Sequence, residues 1–347
     1  MTCKAAIIGD RFMLSKFFAE AIGEACGDRV ACDCKDLPWP DEPLVHGYAE
    51  SGISGLKEYQ GTPEMVAEHA RGSDVLVTHL APLDESVFQA LPELGLVVVS
   101  RGGPVNVDMA AAARHGVSIV NTPGRNTTAV AQFTVGAIIA ETRNITKGHD
   151  SMRKGEYRGD LYRFDMVGDE LQDLKIGVIG YGAIGKAFTG YMLAFGTKIL
   201  VHDPFADLLP AHLGAGAEKS ELKELLGKSD VVVLLCRVTE DTVGMIGTEE
   251  FATMKQGATF VNTARGPLVD YVALYAALAS GKLKGAVLDT FAIEPTPPNL
   301  PLLRLPNVTL APHIAGASTT TARNSARRAA EEIRRWISGE PPLSPCA

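Results

Sequence analysis

Short apolar runs alternate with segments of helical periodicity along the whole chain. In the first third, these runs predict strands at 5–9, 74–80, 94–100 and 116–120, with a weaker strand at 29–34. The segments between them carry apolar residues at helical spacing near 12–25, 63–70, 84–91 and 106–114. Alternating strands and helices are typical of parallel sheets with crossover helices. The pattern therefore predicts an α/β fold.

A second regular series follows a change of pattern in the middle of the chain. Residues 127–145 predict one long helix that is apolar on most of its circumference, so another domain or another subunit must cover it. Residues 151–171 are polar and irregular and indicate a connection. Six further strands are then predicted at 174–180, 197–203, 230–235, 258–262, 284–289 and 307–312. Six strands in this rhythm match a doubly wound nucleotide-binding fold.

Composition narrows the class of protein. The chain has 347 residues, 46% of them hydrophobic, which is enough for two ordinary cores. The formal net charge is -8 without a block of like charge, so we expect no nucleic-acid partner. The arginines between 323 and 335 alternate with glutamates, which favours a solvated helix face over a binding patch. Residues 36–63, rich in Pro and Gly, predict a long surface loop.

Two further features concern location and metal binding. No apolar run is long enough to cross a bilayer, and the first residues lack the pattern of a secretory signal, so we expect a cytoplasmic protein without a membrane partner. The six cysteines form no CxxC pair and are expected to be free thiols. Cys32 and Cys34 could contribute to a metal site, but no His or Cys cluster completes it, and we expect none.

The segment 180–185, GYGAIG, joins a predicted strand to a predicted helix. A GxGxxG pattern alone can be a tight turn, but this context is the one that dinucleotide binding requires. Gly180 would allow the turn, Gly182 would let the backbone approach a pyrophosphate, and Gly185 would let helix and strand pack closely. The helix N-terminus would attract the phosphates.

The next predicted strand ends in Asp203, and no arginine follows it directly. A carboxylate at this place can accept hydrogen bonds from the adenine ribose and would repel a 2′-phosphate. The same aspartate could merely cap a turn, but the glycine motif favours the cofactor interpretation. We therefore expect NAD rather than NADP.

Three polar residues of different chemistry follow three predicted strands. The strand 258–262 leads to Arg265, the strand 284–289 leads to Glu294, and the strand 307–312 leads to His313. The carboxyl ends of parallel strands lie on one sheet edge, so all three should lie beside the dinucleotide. Histidine suits proton transfer, a glutamate can orient the imidazole, and arginine can bind a carboxylate in a bidentate manner. This set suits the reduction of a 2-keto acid by hydride transfer.

The chain resembles the D-isomer-specific 2-hydroxyacid dehydrogenases over nearly its whole length. The segments that carry the resemblance, in the family's order, are RGGPVNVD (101–108), NTPGRN (121–126), GYGAIG (180–185), NTARGPLVD (262–270), LDTFAIEP (288–295) and APHIAG (311–316). The resemblance implies that Arg265 binds substrate, that His313 is the acid/base and that Glu294 is its partner. It also implies that Asp289 tunes the histidine and that the backbone at Gly102 and Gly103 holds the substrate carboxylate.

The family architecture implies a Rossmann nucleotide domain inserted into a flavodoxin-like substrate domain, two doubly wound parallel-sheet domains in all. The substrate domain would comprise 1–122 and 317–347, and the NAD-binding domain 123–316, with a cleft that closes on substrate. Family members are usually dimers joined through the nucleotide domain, so a homodimer is expected. The predicted cofactor contacts are Gly180, Gly182, Ala183, Ile184, Gly185, Asp203, Cys236, Arg237, Thr263, Ala264, Asp289 and His313.

Some positions depart from the family pattern. Arg237 replaces a common proline on the expected nicotinamide side, where it could alter cofactor contacts or be a surface change. Arg101 replaces a small residue and could meet a second anionic group such as phosphate or phosphonate, or be a structural arginine. His79 follows a first-domain strand and could line the substrate site or be a satisfied buried histidine.

The sequence thus predicts an NAD-dependent oxidoreductase that interconverts a D-2-hydroxy acid and its 2-keto acid. Two alternatives stay open. An NAD-sensing regulatory protein of the same fold would bind cofactor without turnover, and a formate- or phosphite-type dehydrogenase would oxidise a different small anion.

Overall fold

The computed structural model describes residues 2–39, 52–53 and 55–346. Residues 40–51 and 54 of the predicted loop 36–63 therefore lie outside the described residues. The chain separates into two compact units, residues 1–126 with 317–347 and residues 127–316. The first boundary falls at the start of a helix, after Asn126.

The first unit is built on a five-stranded parallel sheet. Its strand order is β2-β1-β3-β4-β5, the flavodoxin-like order. Its elements before residue 126 are β1 (Cys3–Gly9), α1 (Ser15–Cys26), β2 (Val30–Asp36), α2 (Pro63–His69), β3 (Val75–Thr78), α3 (Glu85–Ala90), β4 (Leu96–Val99), α4 (Met109–Arg114) and β5 (Ser118–Asn121).

The second unit contains a seven-stranded parallel sheet. Its strand order, β12-β11-β10-β9-β6-β7-β8, is the Rossmann order with one additional strand beside β11. Its elements are α5 (Thr127–Thr142), α6 (Ile145–Arg153), β6 (Lys175–Ile179), α7 (Ala183–Ala194), β7 (Lys198–His202), α8 (Pro210–Gly214), β8 (Ala217–Lys219), α9 (Leu222–Lys228), β9 (Val231–Leu234), α10 (Thr248–Thr253), β10 (Ala258–Asn262), α11 (Tyr271–Ala279), β11 (Leu283–Leu288) and β12 (Val308–Leu310).

Both faces of the central strands are buried, as crossover helices require. In β4, Val97 and Val99 belong to one apolar cluster, whereas Leu96 and Val98 belong to the cluster on the other face. The same holds in the second unit, where neighbouring residues of β10, Phe260 and Val261, belong to different clusters. This double burial explains why these strands are continuous apolar runs.

The last helix, α12 (Thr319–Ile337), belongs to the first unit. Its apolar face, which includes Ala326 and Ile333, packs in the cluster that contains Phe18 of α1. Ser318 caps its N-terminus by accepting a hydrogen bond from the Thr321 N–H at 3.0 Å. Arg334 and Arg335 of this helix form ion pairs with Glu331 of the same helix and with Glu340, as on a solvated face.

Three elements of the structure differ from the sequence prediction in bounds, in number or in being unpredicted. The helix expected over 127–145 ends at Thr142, and α6 begins at Ile145 after Asn144 adopts a left-handed conformation with φ of 57°. The weak strand at 29–34 is the edge strand β2. The short strand β8 was not predicted, because only one of its three residues is buried.

Candidate active site

Three loops at one edge of the second unit's sheet hold the residues singled out at strand ends. Strands β10, β11 and β12 are adjacent and parallel, so their carboxyl ends lie side by side. Arg265 follows β10, Glu294 follows β11 and His313 follows β12. The order of the strands in the sheet thus brings the three loops together, as the sequence predicted.

His313 and Glu294 are in direct contact. The Nδ1 atom of His313 lies 2.6 Å from Oε2 of Glu294, whose side chain is 8% exposed. The other carboxylate oxygen, Oε1, accepts a hydrogen bond from the Phe291 N–H at 2.6 Å. A carboxylate facing Nδ1 makes that nitrogen the proton donor of the pair and leaves Nε2 as the atom for proton exchange. The pair therefore fixes both the orientation and the tautomer of the imidazole.

Asp289 anchors the loop that carries the histidine. Its carboxylate accepts hydrogen bonds from the Ile314 N–H at 2.7 Å and the Ala315 N–H at 3.0 Å, and its carbonyl accepts one from the His313 N–H at 2.8 Å. These bonds hold His313 in a left-handed conformation with φ of 56°. Burial raises the pKa of Asp289 above its usual range.

Asp289 is also an expected cofactor contact. The residue is only 1% exposed, and its carboxylate is engaged by two backbone amides of the histidine loop. The side chain therefore anchors the loop of His313, and the cofactor contact stays a prediction.

Arg265 is exposed, and its loop is fixed by residues that the strand-end argument did not include. Asn262, at the end of β10, donates from Nδ2 to the Arg265 carbonyl at 3.0 Å and accepts from the Ala264 N–H at 3.0 Å. A Cβ on Gly266 would lie 2.0 Å from the Phe291 carbonyl oxygen, so this loop packs directly against the loop of Glu294. The sequence signal for this role was Asn262 itself, a polar residue at the end of the buried strand β10.

The glycine motif adopts the geometry that a phosphate-binding turn requires. Gly180 has φ of 98°, and a Cβ there would lie 2.5 Å from the Cys236 nitrogen. A Cβ on Gly185 would lie 2.2 Å from the Gly180 carbonyl oxygen, whereas a Cβ on Gly182 would meet nothing within 4 Å. The space that a dinucleotide needs is therefore at Gly182. Ala183 and Ile184 open α7, where backbone N–H groups have no acceptor within the helix.

Asp203 lies one residue beyond β7, close to this turn. Its Oδ2 accepts from the Tyr181 N–H at 2.7 Å and its Oδ1 from the Phe205 N–H at 2.9 Å. Each carboxylate oxygen has a second lone pair, so the group can still accept hydrogen bonds from a ligand. The turn-capping and ribose-binding interpretations are thus compatible.

Four further residues predicted to contact the cofactor differ in how far they are buried. Arg237 is exposed, and Cys236 is partly buried, which raises the pKa of its thiol to about 11. The Thr263 hydroxyl is buried 2.8 Å from the Thr134 hydroxyl of α5, and Ala264 is 8% exposed. The side chain of Thr263 therefore packs internally, and the expected cofactor contact at this residue stays a prediction.

In the first unit, Gly102 and Gly103 follow β4 in an open bend. A Cβ on either would meet nothing within 4 Å. Neither backbone N–H donates a hydrogen bond to any part of the chain that the structure describes. Two accessible, unbonded amides side by side form a small anion-binding surface.

Arg101 is already paired. Its guanidinium forms an ion pair with the Glu58 carboxylate and donates from Nη1 to the Glu58 carbonyl at 2.8 Å. Both side chains are largely buried. A guanidinium neutralised in this way is not available to a second anion without breaking that pair, so the geometry corresponds to the structural alternative.

His79 is 9% exposed and lies between two charged residues. Its Nδ1 is 2.5 Å from Oδ2 of Asp10, and its Nε2 is 3.4 Å from Nη2 of Arg125. Neither Asp10 nor Arg125 was predicted as a site residue. The buried-histidine alternative describes His79, although its partners are charged.

No group of three or more His, Cys, Asp or Glu side chains with metal-binding geometry occurs among the described residues. None of their helices combines the length and apolarity needed to span a membrane.

Comparison with known proteins places this geometry in a family. Residues 135–315 match the profile described as "D-isomer specific 2-hydroxyacid dehydrogenase, NAD binding domain". The glyoxylate reductase of Korarchaeum cryptofilum is 37% identical over 84% of this chain and 91% of that protein. The D-3-phosphoglycerate dehydrogenase of Archaeoglobus fulgidus is 33% identical over 82% of this chain and 53% of that protein.

A solved structure supports the fold. The D-isomer specific 2-hydroxyacid dehydrogenase of Lactobacillus delbrueckii ssp. bulgaricus, in its NAD-complexed form, superposes with a TM-score of 0.79 at 22% identity, covering 99% of this chain and 100% of that one. The predicted pair of doubly wound parallel sheets is confirmed, and so is the predicted cofactor, NAD. The chain belongs to the D-isomer specific 2-hydroxyacid dehydrogenase family and is an NAD-dependent oxidoreductase.

Proposed function

We propose that the protein reduces a small 2-keto acid to the D-2-hydroxy acid, and catalyses the reverse oxidation, with His313 as the acid/base. The observation that carries the proposal is the 2.6 Å contact between His313 Nδ1 and Glu294 Oε2 at the sheet edge beside the glycine motif. NADH supplies the hydride. His313 Nε2 gives a proton to the carbonyl oxygen during reduction and takes one from the hydroxyl during oxidation.

Glu294 and Arg265 complete the proposed chemistry. The Glu294 carboxylate holds the imidazole through Nδ1 and so keeps Nε2 aimed at the substrate. Arg265 binds the carboxylate through its guanidinium and stabilises the developing alkoxide. Asp289 and Asn262 are positioning residues, because they hold the loops of the other two without reaching the substrate.

The substrate carboxylate is proposed to bind the backbone N–H groups of Gly102 and Gly103. Their exposure and lack of partners in the described chain support this assignment. The first unit is then the substrate domain, and the second, which contains the matched NAD-binding profile, is the nucleotide domain.

The cofactor is proposed to lie with its pyrophosphate over Gly182 and the first amides of α7, at Ala183 and Ile184. The open space above Gly182 supports this position. Asp203 accepts hydrogen bonds from the adenine ribose and repels the 2′-phosphate of NADP. Arg237, exposed after β9, contacts the cofactor only at its periphery.

The geometry does not favour a phosphorylated substrate bound by Arg101. The ion pair with Glu58 occupies that guanidinium. Glyoxylate and hydroxypyruvate are therefore the first substrates to test, since the Korarchaeum relative is a glyoxylate reductase. The reactions of other relatives, such as the phosphoglycerate dehydrogenase, belong in the same panel.

A turnover assay tests the proposal. Loss of NADH absorbance is followed with glyoxylate, hydroxypyruvate and pyruvate, and NAD reduction with D- and L-glycerate, formate and phosphite. We expect reduction of keto acids and oxidation of only the D-isomer, with a loss of about 10²–10⁴-fold in His313→Ala. His149→Ala, which changes an exposed histidine of the same unit, is the matched control.

Other outcomes would contradict it. Binding of NADH without turnover of any substrate would favour an NAD-sensing regulator. Oxidation of formate or phosphite alone would favour the other enzymatic alternative. Equal activity of His313→Ala and the wild type would remove the proposed role of His313.

We further propose a cytoplasmic homodimer joined through the second unit. Between α6 and β6, Tyr157, Tyr162 and Phe164 are 87%, 92% and 97% exposed, and such aromatic surface is typical of interfaces. Sedimentation should show a dimer for the wild type and a monomer for Tyr162→Ser/Phe164→Ser. A monomeric wild type would contradict the proposal.

A further inference from the structure

The carboxyl edge of the first unit's sheet carries a chain of three charged or polar side chains. Asp10 follows β1, His79 follows β3 and Arg125 follows β5. His79 bridges the other two, with Nδ1 at 2.5 Å from Asp10 Oδ2 and Nε2 at 3.4 Å from Arg125 Nη2. Asp10 is 3% exposed and also accepts from the Phe12 and Met13 N–H groups, both at 2.8 Å.

The protonation of this chain follows from the donors present. A guanidinium only donates, so the Nε2 atom that faces Arg125 must accept, and the proton of a neutral imidazole then lies on Nδ1 toward Asp10. Burial lowers the pKa of His79, which agrees with a neutral ring. Burial opposes ionisation of Asp10, but the hydrogen bond from His79 leaves the pKa of that carboxyl below its usual value. His79 thus orients Arg125 while Asp10 orients His79.

The guanidinium of Arg125 carries a positive charge that no ion pair within the described residues neutralises. Among the residues that the structure describes, no carboxylate lies within 4.0 Å of its guanidinium. Its other contact is a weak one, from Nη1 to the Met13 sulfur at 3.9 Å. Burial lowers the pKa of Arg125 to about 10. The charge of Asp10 offsets part of this burial from beyond ion-pair distance, and an anion in direct contact with the half-buried guanidinium would offset more of it.

The Arg125 loop is attached to the loop of the two open glycines. Asn121 donates from Nδ2 to the Gly102 carbonyl at 2.9 Å, and the Thr122 N–H donates to the Arg101 carbonyl at 2.9 Å. Arg125 therefore lies on the chain segment that braces the proposed carboxylate site. Arg101, in contrast, is bonded to Glu58.

We propose that Arg125, oriented by His79 and Asp10, is a specificity-determining residue that binds a second anionic group of the substrate, a carboxylate or a phosphate at the carbon beyond the keto group. This inference rests on the proposed function, because it assigns the substrate class of the same site. The role that the sequence suggested for Arg101 then belongs to Arg125.

The experiment compares substrates that differ in the second group. Glyoxylate and hydroxypyruvate carry one anion, oxaloacetate adds a carboxylate and phosphohydroxypyruvate adds a phosphate. The wild type should prefer one of the doubly anionic acids. The comparison of oxaloacetate with phosphohydroxypyruvate shows whether the second group is a carboxylate or a phosphate. In Arg125→Gln, kcat/KM for that acid should fall by about 10- to 100-fold, the range for lost charge-assisted hydrogen bonds, while kcat/KM for glyoxylate changes by less than about threefold.

Control variants separate this role from a structural one. Arg11→Gln, which removes an exposed arginine beside Asp10, should leave the preference unchanged. His79→Gln should raise KM for the doubly anionic acid more than it lowers kcat, since it disturbs only the orientation of Arg125. If Arg125→Gln does not fold, Arg125→Lys provides the test. It keeps the positive charge but loses the bidentate N–H donors of the guanidinium. Its loss should be smaller and again confined to doubly anionic acids.

Equal proportional losses on all substrates, or no wild-type preference for a second anion, would overturn the inference while leaving the proposed function intact. Failure of the wild type to reduce any 2-keto acid would instead overturn the proposed function.

Discussion

His313 and Glu294 are 19 residues apart in the chain, yet their side chains meet at 2.6 Å because β11 and β12 are neighbours in one parallel sheet. Neither residue alone would indicate chemistry. The contact matters because it fixes the orientation of the imidazole that we propose as the proton donor. Predictions about the reaction can therefore be made from the geometry of this pair.

Glu294→Gln should preserve the hydrogen bond to Nδ1 and remove the charge. A neutral amide accepts the Nδ1–H more weakly than a carboxylate does, so it should hold and polarise the imidazole less well. We expect kcat for reduction to fall by roughly 10- to 100-fold at pH 7.5. Steady-state kinetics measure kcat, with the exposed Glu249→Gln as control. An unchanged kcat would contradict the assigned role.

The glycine motif provides a matched pair of substitutions. Gly185→Ala places a Cβ 2.2 Å from the Gly180 carbonyl oxygen, a backbone atom that cannot move easily, and should destabilise the fold by about 1–3 kcal/mol. Gly182→Ala places a Cβ in open space and should leave stability nearly unchanged while weakening NADH binding by at least about 10-fold. Thermal unfolding and NADH titration measure the two effects. Equal NADH affinity in Gly182→Ala and the wild type would place the pyrophosphate elsewhere.

Much of this architecture could be predicted from the sequence because buried parallel strands must be apolar on both faces. Strands such as β9 and β10 are continuous buried runs, and the run itself marks them. The edge strand β2 has a single buried residue, so it gives only a weak signal. The break at Asn144 interrupts no apolar pattern, and the segment 127–145 therefore suggested one helix where there are two.

The site was predictable to the extent that topology determines it. Residues at strand ends share an edge, and this relation alone groups Arg265, Glu294 and His313. No comparable rule predicts which side chains of distant segments will form ion pairs or hydrogen bonds. Arg101 meets Glu58 43 residues earlier, and His79 meets Asp10 69 residues earlier, through loops whose paths depend on tertiary packing.

Asp203→Asn tests the basis of the cofactor preference. The amide oxygen can keep one of the two backbone hydrogen bonds that the carboxylate accepts, from Tyr181 or from Phe205, while the negative charge disappears. Repulsion of a 2′-phosphate should then weaken, and the ratio of kcat/KM for NADPH to that for NADH should rise by at least about 10-fold. Steady-state kinetics with both cofactors measure the ratio. A rise equally large in Asp207→Asn, at an exposed aspartate nearby, would remove the specific role of Asp203.

The Asp10–His79 pair should make stability depend on pH. Burial lowers the pKa of His79 in the folded state, so the unfolded chain binds its proton more readily below about pH 6.5. Unfolding free energy should therefore fall by at most about 1.4 kcal/mol per pH unit as the pH drops below that value. The lowered pKa of Asp10 means that its own contribution is present above about pH 4 and is lost only at lower pH.

His79→Gln isolates the histidine part of this dependence. Glutamine can donate to Asp10 but does not titrate, so the variant should lose less stability than the wild type between pH 7.5 and pH 5.5. The difference should be about 1 kcal/mol, measured by urea denaturation at both values. His149→Gln, at an exposed position, should retain the wild-type dependence. If His79→Gln loses as much unfolding free energy as the wild type, His79 is not the group that titrates. The assignment of His79 as a neutral imidazole between Asp10 and Arg125 would then be wrong.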